Sequence, residues 1–337
     1  MSSMISNPID WTEQEYKDFG LKPQVNAHSY HKLPWFGDEA LIELLDSYPR
    51  ENLQAHTMGL DPLNFHDWTQ VNITAQTTGK QMLEAVQNGR IWLNLTQIEK
   101  HSAQYGDLVA GMYKHIGENC LRLSDSTSTH SALLISSPAA QVYYHLDAEP
   151  NMIWHMRGQK KIWIYPAMDL NFAPQESIEE IYACEVEEDL PYRPEFDDSA
   201  TYYLLKPGDA ASWPHNAPHR IVNVDMNVSL ATSYYTSDTY NRKYVQLANR
   251  FLLRNMGIKN RSMREVGLIP SLKRITYRLI NKIRPFASRD RTAFYTTDLE
   301  LDPTMPLGYR KIDNPVLPAF AKAANKPNLV DAVSRAA

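Results

Sequence analysis

From about residue 121 the chain alternates short apolar runs with turn residues. SALLISS, AQVYYHLD, NMIWHMRGQKKIWIYP, ATYYLLKPGDAASWP, HRIVNV and NVSLATSYYT follow one another, separated by Pro, Gly, Asp and Asn. Several short strands with turn signals predict a sandwich or barrel. A double-stranded β-helix, the double-sheet jelly roll, is the natural form for them. The pattern on either side is helical. In DEALIELLDSYP, Leu41, Leu44 and Leu45 have helical spacing, Asp38 stands at the N-cap position and Pro49 ends the run. GKQMLEAVQNG closes on Gly89, and Leu108, Met112 and Ile116 mark a third helix. YNRKYVQLANRFLLRN and SLKRITYRLINKIRPF are basic and amphipathic, the second with Leu272, Ile275, Leu279 and Ile283 on one stripe. The fold class expected is mainly β with flanking helices. Residues 1–30 form a flexible leader and 31–120 a helix-rich region packing on the barrel. Residues 121–240 form the core, and 241–337 a basic helical region with an irregular, proline-bearing tail.

Composition adds little to this. Hydrophobic content of 43% and charged content of 22% are ordinary for a folded chain. Two cysteines, Cys120 and Cys184, give no disulfide framework. The N-terminus lacks the apolar and basic regions of a signal peptide, and no run approaches a membrane span. The expected location is cytoplasmic, with peripheral membrane attachment as the alternative. Charge is more informative. Between Arg242 and Arg291 stand fourteen Lys/Arg against Glu265 and Asp290, so a net charge of −5 conceals +12 here and −17 elsewhere. The insert DLNFAPQESIEEIYACEVEEDLPYRPEFDDS is strongly acidic and reads as a surface loop with room for a helical turn. Such asymmetry points to a partner surface. The basic segment 242–291 suits an anionic surface, and its apolar stripe suits a homodimer through the C-terminal helices equally well.

The chemistry lies in QVYYHLDAEPN and PHNAPHRIVN. His145 and Asp147 are two residues apart, so a strand would point both to one face. A later strand must supply the third ligand. Two imidazoles and one carboxylate on one face of an octahedral ion leave three positions open, as in the facial triad of non-haem Fe(II) oxygenases. Two histidines compete for the third place. His219 opens the β-rich HRIVNV and can be aimed inward, whereas His215 follows Pro214 in a turn-like stretch and reads as a rim residue. His155 is read as a core or supporting histidine.

HLDAEPNMIWHMRGQKKIWIYP resembles the JmjC and cupin-like branch of the 2-oxoglutarate-dependent oxygenases, and its spacing is similar to the asparaginyl hydroxylases of hypoxia-inducible factor. In that pattern an Asn follows the Asp by four residues and a Gly-x-Lys comes next; Asn151 and Gly158-Gln159-Lys160 stand there. The family's second half has Gly-Asp, a Pro five residues on and a His five further; Asp209, Pro214 and His219 fit both intervals and favour His219. The resemblance covers about residues 125–240.

The resemblance implies Fe(II) held by His145, Asp147 and His219, with 2-oxoglutarate and O2 as cosubstrates and hydroxylation as the reaction. It implies that Lys160 pairs with the far carboxylate of 2-oxoglutarate. Strand parity favours Lys160 over Lys161, because Ile162 and Ile164 then join the core. Asn151 is either a cosubstrate contact or a turn residue. The family's Thr three residues before the first His is Val142 here, so another hydroxyl, Ser233 or a Tyr, must replace it. The prime substrate expected is a protein or peptide side chain. A small metabolite or a lipid-linked sugar at a membrane surface is the second reading, and a cupin module holding metal without turnover is the third.

Overall fold

A computed structural model describes residues 8–123, 128–286 and 295–324. Its strands are β1 (Gln24–Ala27), β2 (Leu53–Thr57), β3 (Thr69–Gln70), β4 (Trp92–Thr96), β5 (Ser128–Ser136), β6 (Gln141–His145), β7 (Asn151–Arg157), β8 (Lys160–Ile164), β9 (Thr201–Leu205), β10 (Asp209–Ser212), β11 (His219–Asn223), β12 (Asn227–Tyr235), β13 (Thr297–Leu301) and β14 (Tyr309–Val316). One sheet runs β1-β10-β7-β12-β5-β4-β2-β3 and a smaller one β6-β11-β8-β9. The antiparallel pairs β5·β12, β6·β11, β7·β10 and β8·β9 join each strand of the first half to its counterpart in the second. That pairing, split between two sheets, is a double-stranded β-helix, the jelly roll expected from the sequence.

Alternation along the strands sets what faces the interior. On β8, Lys160, Ile162 and Ile164 are buried while Lys161 is exposed. Ile162 and Ile164 pack with Ile153, Leu205, Ala211, Trp213 and Ile221 from both sheets. The larger sheet is also covered outside. Val228 and Leu230 of β12 join Leu133, Ile135 and Trp154 in a core shared with the helices α1 (Glu13–Asp18), α2 (Asp38–Ser47), α3 (Gly79–Asn88), α4 (Ile98–His101) and α5 (Ala103–Asn119). The smaller sheet carries α6 (Gln175–Tyr182), α7 (Ser237–Ala248) and α8 (Leu268–Ile283) on its outer side, through Tyr144, Tyr165, Ile178, Leu247 and Tyr277. Gly158 makes the β7–β8 turn at φ 77°; a Cβ there would lie 2.2 Å from the Met226 carbonyl oxygen, so only glycine fits.

Several expectations are corrected. Residues 8–30 are not a flexible leader. Thr12 caps α1 through a capping box with Glu15, Trp11 and Phe19 are buried, and β1 pairs with β10 along its whole length. Gly37, not Asp38, caps α2. The Asp38 carboxylate instead pairs with Arg157. The tail is not wholly irregular, since β13 and β14 form a hairpin and Leu301 is buried. The acidic insert is not a surface loop. Its α6 packs into the outer core, and Glu179 is fully buried against Arg261 at 2.8 Å. Arg250 pairs with Glu185 at 2.6 Å and Arg254 with Glu180 at 2.8 Å. Much of the basic excess therefore neutralises the insert rather than waiting for a partner. The start of the leader (1–7), the end of the basic segment with Arg289 and Arg291, and the last part of the tail lie outside the described residues.

Candidate metal centre

His145 is the last residue of β6 and His219 the first of β11, and they are directly paired across the two strands. Opposed residues in an antiparallel pair hold their side chains close, and the two imidazole centroids are 4.1 Å apart. The register shifts between His219 and Ile221, an irregularity of the kind that re-aims side chains beside functional sites. Asp147 does not lie on the strand. It sits two residues past the end of β6, and a strapped turn brings it in. The Asn216 side-chain amide donates to the Asp147 carbonyl at 2.9 Å, the His215 ring meets the Ala148 carbonyl at 3.0 Å, and the Ala148 N–H donates to Glu188 at 3.2 Å. Asn216 adopts φ 62°, which lets the turn double back. His215 is thus no exposed rim residue: it is half-buried, meets the Tyr182 hydroxyl at 3.1 Å, and holds the chain carrying Asp147.

The three side chains offer ligand atoms that all lie within 4.8 Å of one another. Asp147 is 3.7 Å from the His145 Nε2 and 3.5 Å from the His219 Nε2. Each imidazole has its other nitrogen engaged. His145 Nδ1–H donates to the Tyr143 carbonyl at 2.7 Å, and His219 Nδ1–H to the Ala217 carbonyl at 3.1 Å. This fixes the tautomer, so both Nε2 lone pairs face Asp147. Burial and the neighbouring His145 pull His219 down to about 4, which keeps it neutral and able to ligate. Asp147 Oδ2 and the Asn151 side-chain carbonyl are buried without a hydrogen-bond partner. Orphaned acceptors of this sort call for a ligand, and the donor set fits a divalent cation.

Lys160 is 3% exposed, and its ammonium makes no hydrogen bond or ion pair with the described residues. It starts β8, opposite Asn223 and Leu205, inside the same barrel. Burial drops its ammonium to about 7. Beside it, His155 is fully buried: its Nε2–H donates to the Gly158 carbonyl at 2.7 Å and its Nδ1 accepts from Ser229 at 2.9 Å. Asn151 opens β7, across from Ser233 on β12, and it lines the same cleft as the metal ligands. Ser233 engages Glu149. It stands four residues along β12 from Ser229, roughly 13 Å at strand rise. The hydroxyl that meets His155 is Ser229, which the sequence did not single out. Nor did it single out Asn216, although an Asn between His and Ala in a Pro-flanked turn is a known seat for positive φ.

The triad opens into a cleft of about 1180 Å³. One wall is the extension of the larger sheet, with His56, Trp68, Gln70 and Trp92; the other is the insert, with Glu180, Glu187 and Glu188. His56 Nδ1 and Gln70 Oε1 are buried and unpaired. A first expected result concerns metal alone. Excess Co(II) or Ni(II) raises the melting temperature of the wild-type chain by several degrees, since saturation at about 100 Kd adds about 2.7 kcal/mol. Differential scanning fluorimetry on Asp147→Ala shows no rise.

No protein-family model matches the chain, and no curated protein matches it. Solved structures do. The X-ray structure of Escherichia coli YcfD aligns at 13% identity over 82% of this chain and 70% of that one, with a TM-score of 0.47. YcfD, described as a ribosomal oxygenase, in complex with cobalt and 2-oxoglutarate aligns at 12% identity over 81% and 68%, with a TM-score of 0.48. A conserved Streptococcus pyogenes protein of unknown function aligns at 11% over 33% and 68%, with a TM-score of 0.21. The fold is defined by the strand pairing described above.

Proposed function

We propose that the chain is a 2-oxoglutarate-dependent oxygenase that hydroxylates a protein or peptide side chain. The observation that carries this reading is the partnerless, buried ammonium of Lys160 in the same barrel as the His145, Asp147 and His219 set. A buried charge without a partner is costly, and a scaffold that only held metal would have no use for it. A diacid spanning from the metal to Lys160 would gain a charge-assisted hydrogen bond there. Iron(II) with 2-oxoglutarate, when bound, supplies O2-dependent C–H hydroxylation.

The chain's own residues do the rest. His145 and His219 present neutral Nε2 atoms, and Asp147 brings the one negative charge. Asn216 and His215 hold the Asp147–Ala148 backbone against drift. Lys160 orients the diacid, with His155 and Ser229 fixing the polar floor next to it. Ile153, Ile164 and Trp213 exclude water from the interior. Asn151 keeps its free carbonyl at the metal end and can accept from a substrate amide. For the prime substrate, a cleft of about 1180 Å³ exceeds a drug-sized pocket. Glu180 of its insert wall is paired with Arg254, but burial and the like charges of Asp147, Glu149 and Glu187 push Glu188 up to about 8, and a cationic peptide segment would relieve that crowding.

The test is reconstitution. Chain purified anaerobically, then given Fe(II), 2-oxoglutarate and O2, is expected to release succinate slowly, and faster with basic than with acidic peptides. No succinate above a metal-free control, under conditions where Co(II) raises the melting temperature, would leave a metal-binding module without turnover.

A further inference from the structure

We propose that the outward face of α8 is a docking surface for an anionic lipid bilayer, with the helix lying in the plane of the headgroups. At 3.6 residues per turn, Leu268, Leu272, Ile275, Leu279 and Ile283 share one stripe, and Ile269 and Ile280 lie beside it. Pro270 and Tyr277 take the opposite side and are the buried residues of the helix. The stripe is open to solvent along its length, from Leu268 at 78% exposed through Leu279 at 57% to Ile283 at 84%. Exposed apolar faces of this continuity mark interaction sites on folded chains. The preceding loop adds Val266 and Met256, exposed at 80% and 74%.

Charge decides the occupant. Residues 268–286 contain five Lys/Arg and no Asp or Glu. Lys282 borders one edge of the stripe, and Arg284 follows at the C-cap, directly after the helix. Both are exposed, and neither side chain has a hydrogen bond, ion pair or ring contact among the described residues. These are cations left over after Arg242, Arg250, Arg254 and Arg261 have been absorbed by Glu265 and the acidic insert. A second copy docked α8 on α8 would set the same cations against each other with no carboxylate to answer them. An apolar stripe with a cation at its edge and another at its end is complementary to anionic headgroups over acyl chains. No described helix is long and apolar enough to cross a membrane, so the contact is peripheral. This inference does not depend on the oxygenase reading, because its readout is binding.

The experiment is sedimentation of the full chain with vesicles of phosphatidylcholine containing about a third phosphatidylserine, beside pure phosphatidylcholine vesicles. The wild type is expected to pellet with the anionic vesicles and to bind the neutral ones at least tenfold more weakly, since each cation near the surface is worth about fivefold. Raising salt from about 0.1 to 1 M, which shortens the Debye length from about 10 to 3 Å, weakens binding. Lys282→Glu/Arg284→Glu is expected to lose tenfold or more, and Leu272→Asn/Leu279→Asn to abolish pelleting. All four side chains are exposed, so the melting temperature checks that each variant folds. Absence of pelleting by the wild type, or undiminished pelleting by both double variants, overturns the proposal. So does a lipid-free dimer in light scattering that Leu272→Asn/Leu279→Asn dissolves, because the face would then belong to a second copy.

Discussion

His219→Ala is expected to lower succinate formation by at least a thousandfold and to erase the metal-induced rise in melting temperature. The reason is geometric. His219 and His145 are one cross-strand pair, and β11 carries no other His, Cys, Asp or Glu to take its place. Among the described residues, these two histidines and Asp147 are the group of side chains that could hold an ion. The substitution also removes packing against Trp213, whose ring centroid is 4.5 Å away. A buried truncation of this size costs about 2–5 kcal/mol, so the metal-free variant is expected to melt lower, and its own melt serves as the baseline. His215→Ala separates ligation from support. Its ring holds the Ala148 carbonyl and the Tyr182 hydroxyl, so its loss loosens the Asp147 turn. A fall of about tenfold in turnover with a retained metal response is the expected pattern, because a misplacement near 1 Å is costly without being fatal. Loss of the metal response in His215→Ala together with its retention in His219→Ala would exchange the two roles.

Lys160→Met is expected to raise the 2-oxoglutarate requirement at least a hundredfold while making the ligand-free chain more stable. The first effect follows from removing one partner of a buried ion pair, worth about 3–5 kcal/mol. The second follows from the sign of the pKa shift. Burial brings the Lys160 ammonium from its usual 10.5 to about 7. Between those values the unfolded chain binds the proton and the folded chain does not, so wild-type stability rises with pH across that window. Below about pH 7 the cost is fully present. Methionine has no such term. The stability advantage of Lys160→Met is therefore largest at and below neutral pH, a few kcal/mol at about 1.4 per unit, and it shrinks as pH rises toward 10.5. Denaturant melts at pH 7 and pH 9.5 read it directly. The same ionisation makes diacid binding take up a proton above pH 7, so affinity for 2-oxoglutarate weakens there. Equal stability of variant and wild type at pH 7 would mean that the ammonium is solvated, and the diacid site would lose its anchor.

The barrel was legible because its signals are local. Short β-rich runs between turn residues mark strands one by one, and parity along Lys160-Lys161-Ile162 tells inside from outside without a partner strand. His145, Asp147 and His219 were legible for the same reason, as residue types at fixed intervals. What failed was what depends on distant pairing. The strand β1 has only Val25 and Ala27 as apolar residues, and it exists because β10 offers it an edge. The acidic insert and the basic segment looked like two surfaces awaiting partners; their pairing, such as Arg261 with Glu179, joins residues 82 apart in the chain. In the leader, the Thr12–Glu15 capping box was a readable start signal that the low apolar content obscured. Asp147 was expected on the strand face with His145, and it reaches the same place through a turn held by Asn216. Side-chain straps of that kind have no sequence period.

The most direct measurement is diffraction from crystals grown with Co(II) and 2-oxoglutarate, using cobalt anomalous scattering. One anomalous peak is expected within coordination distance of His145 Nε2, an Asp147 carboxylate oxygen and His219 Nε2, with the diacid's far carboxylate against Lys160 Nζ. A peak elsewhere, or a diacid bound with Lys160 left unpaired, would contradict the account.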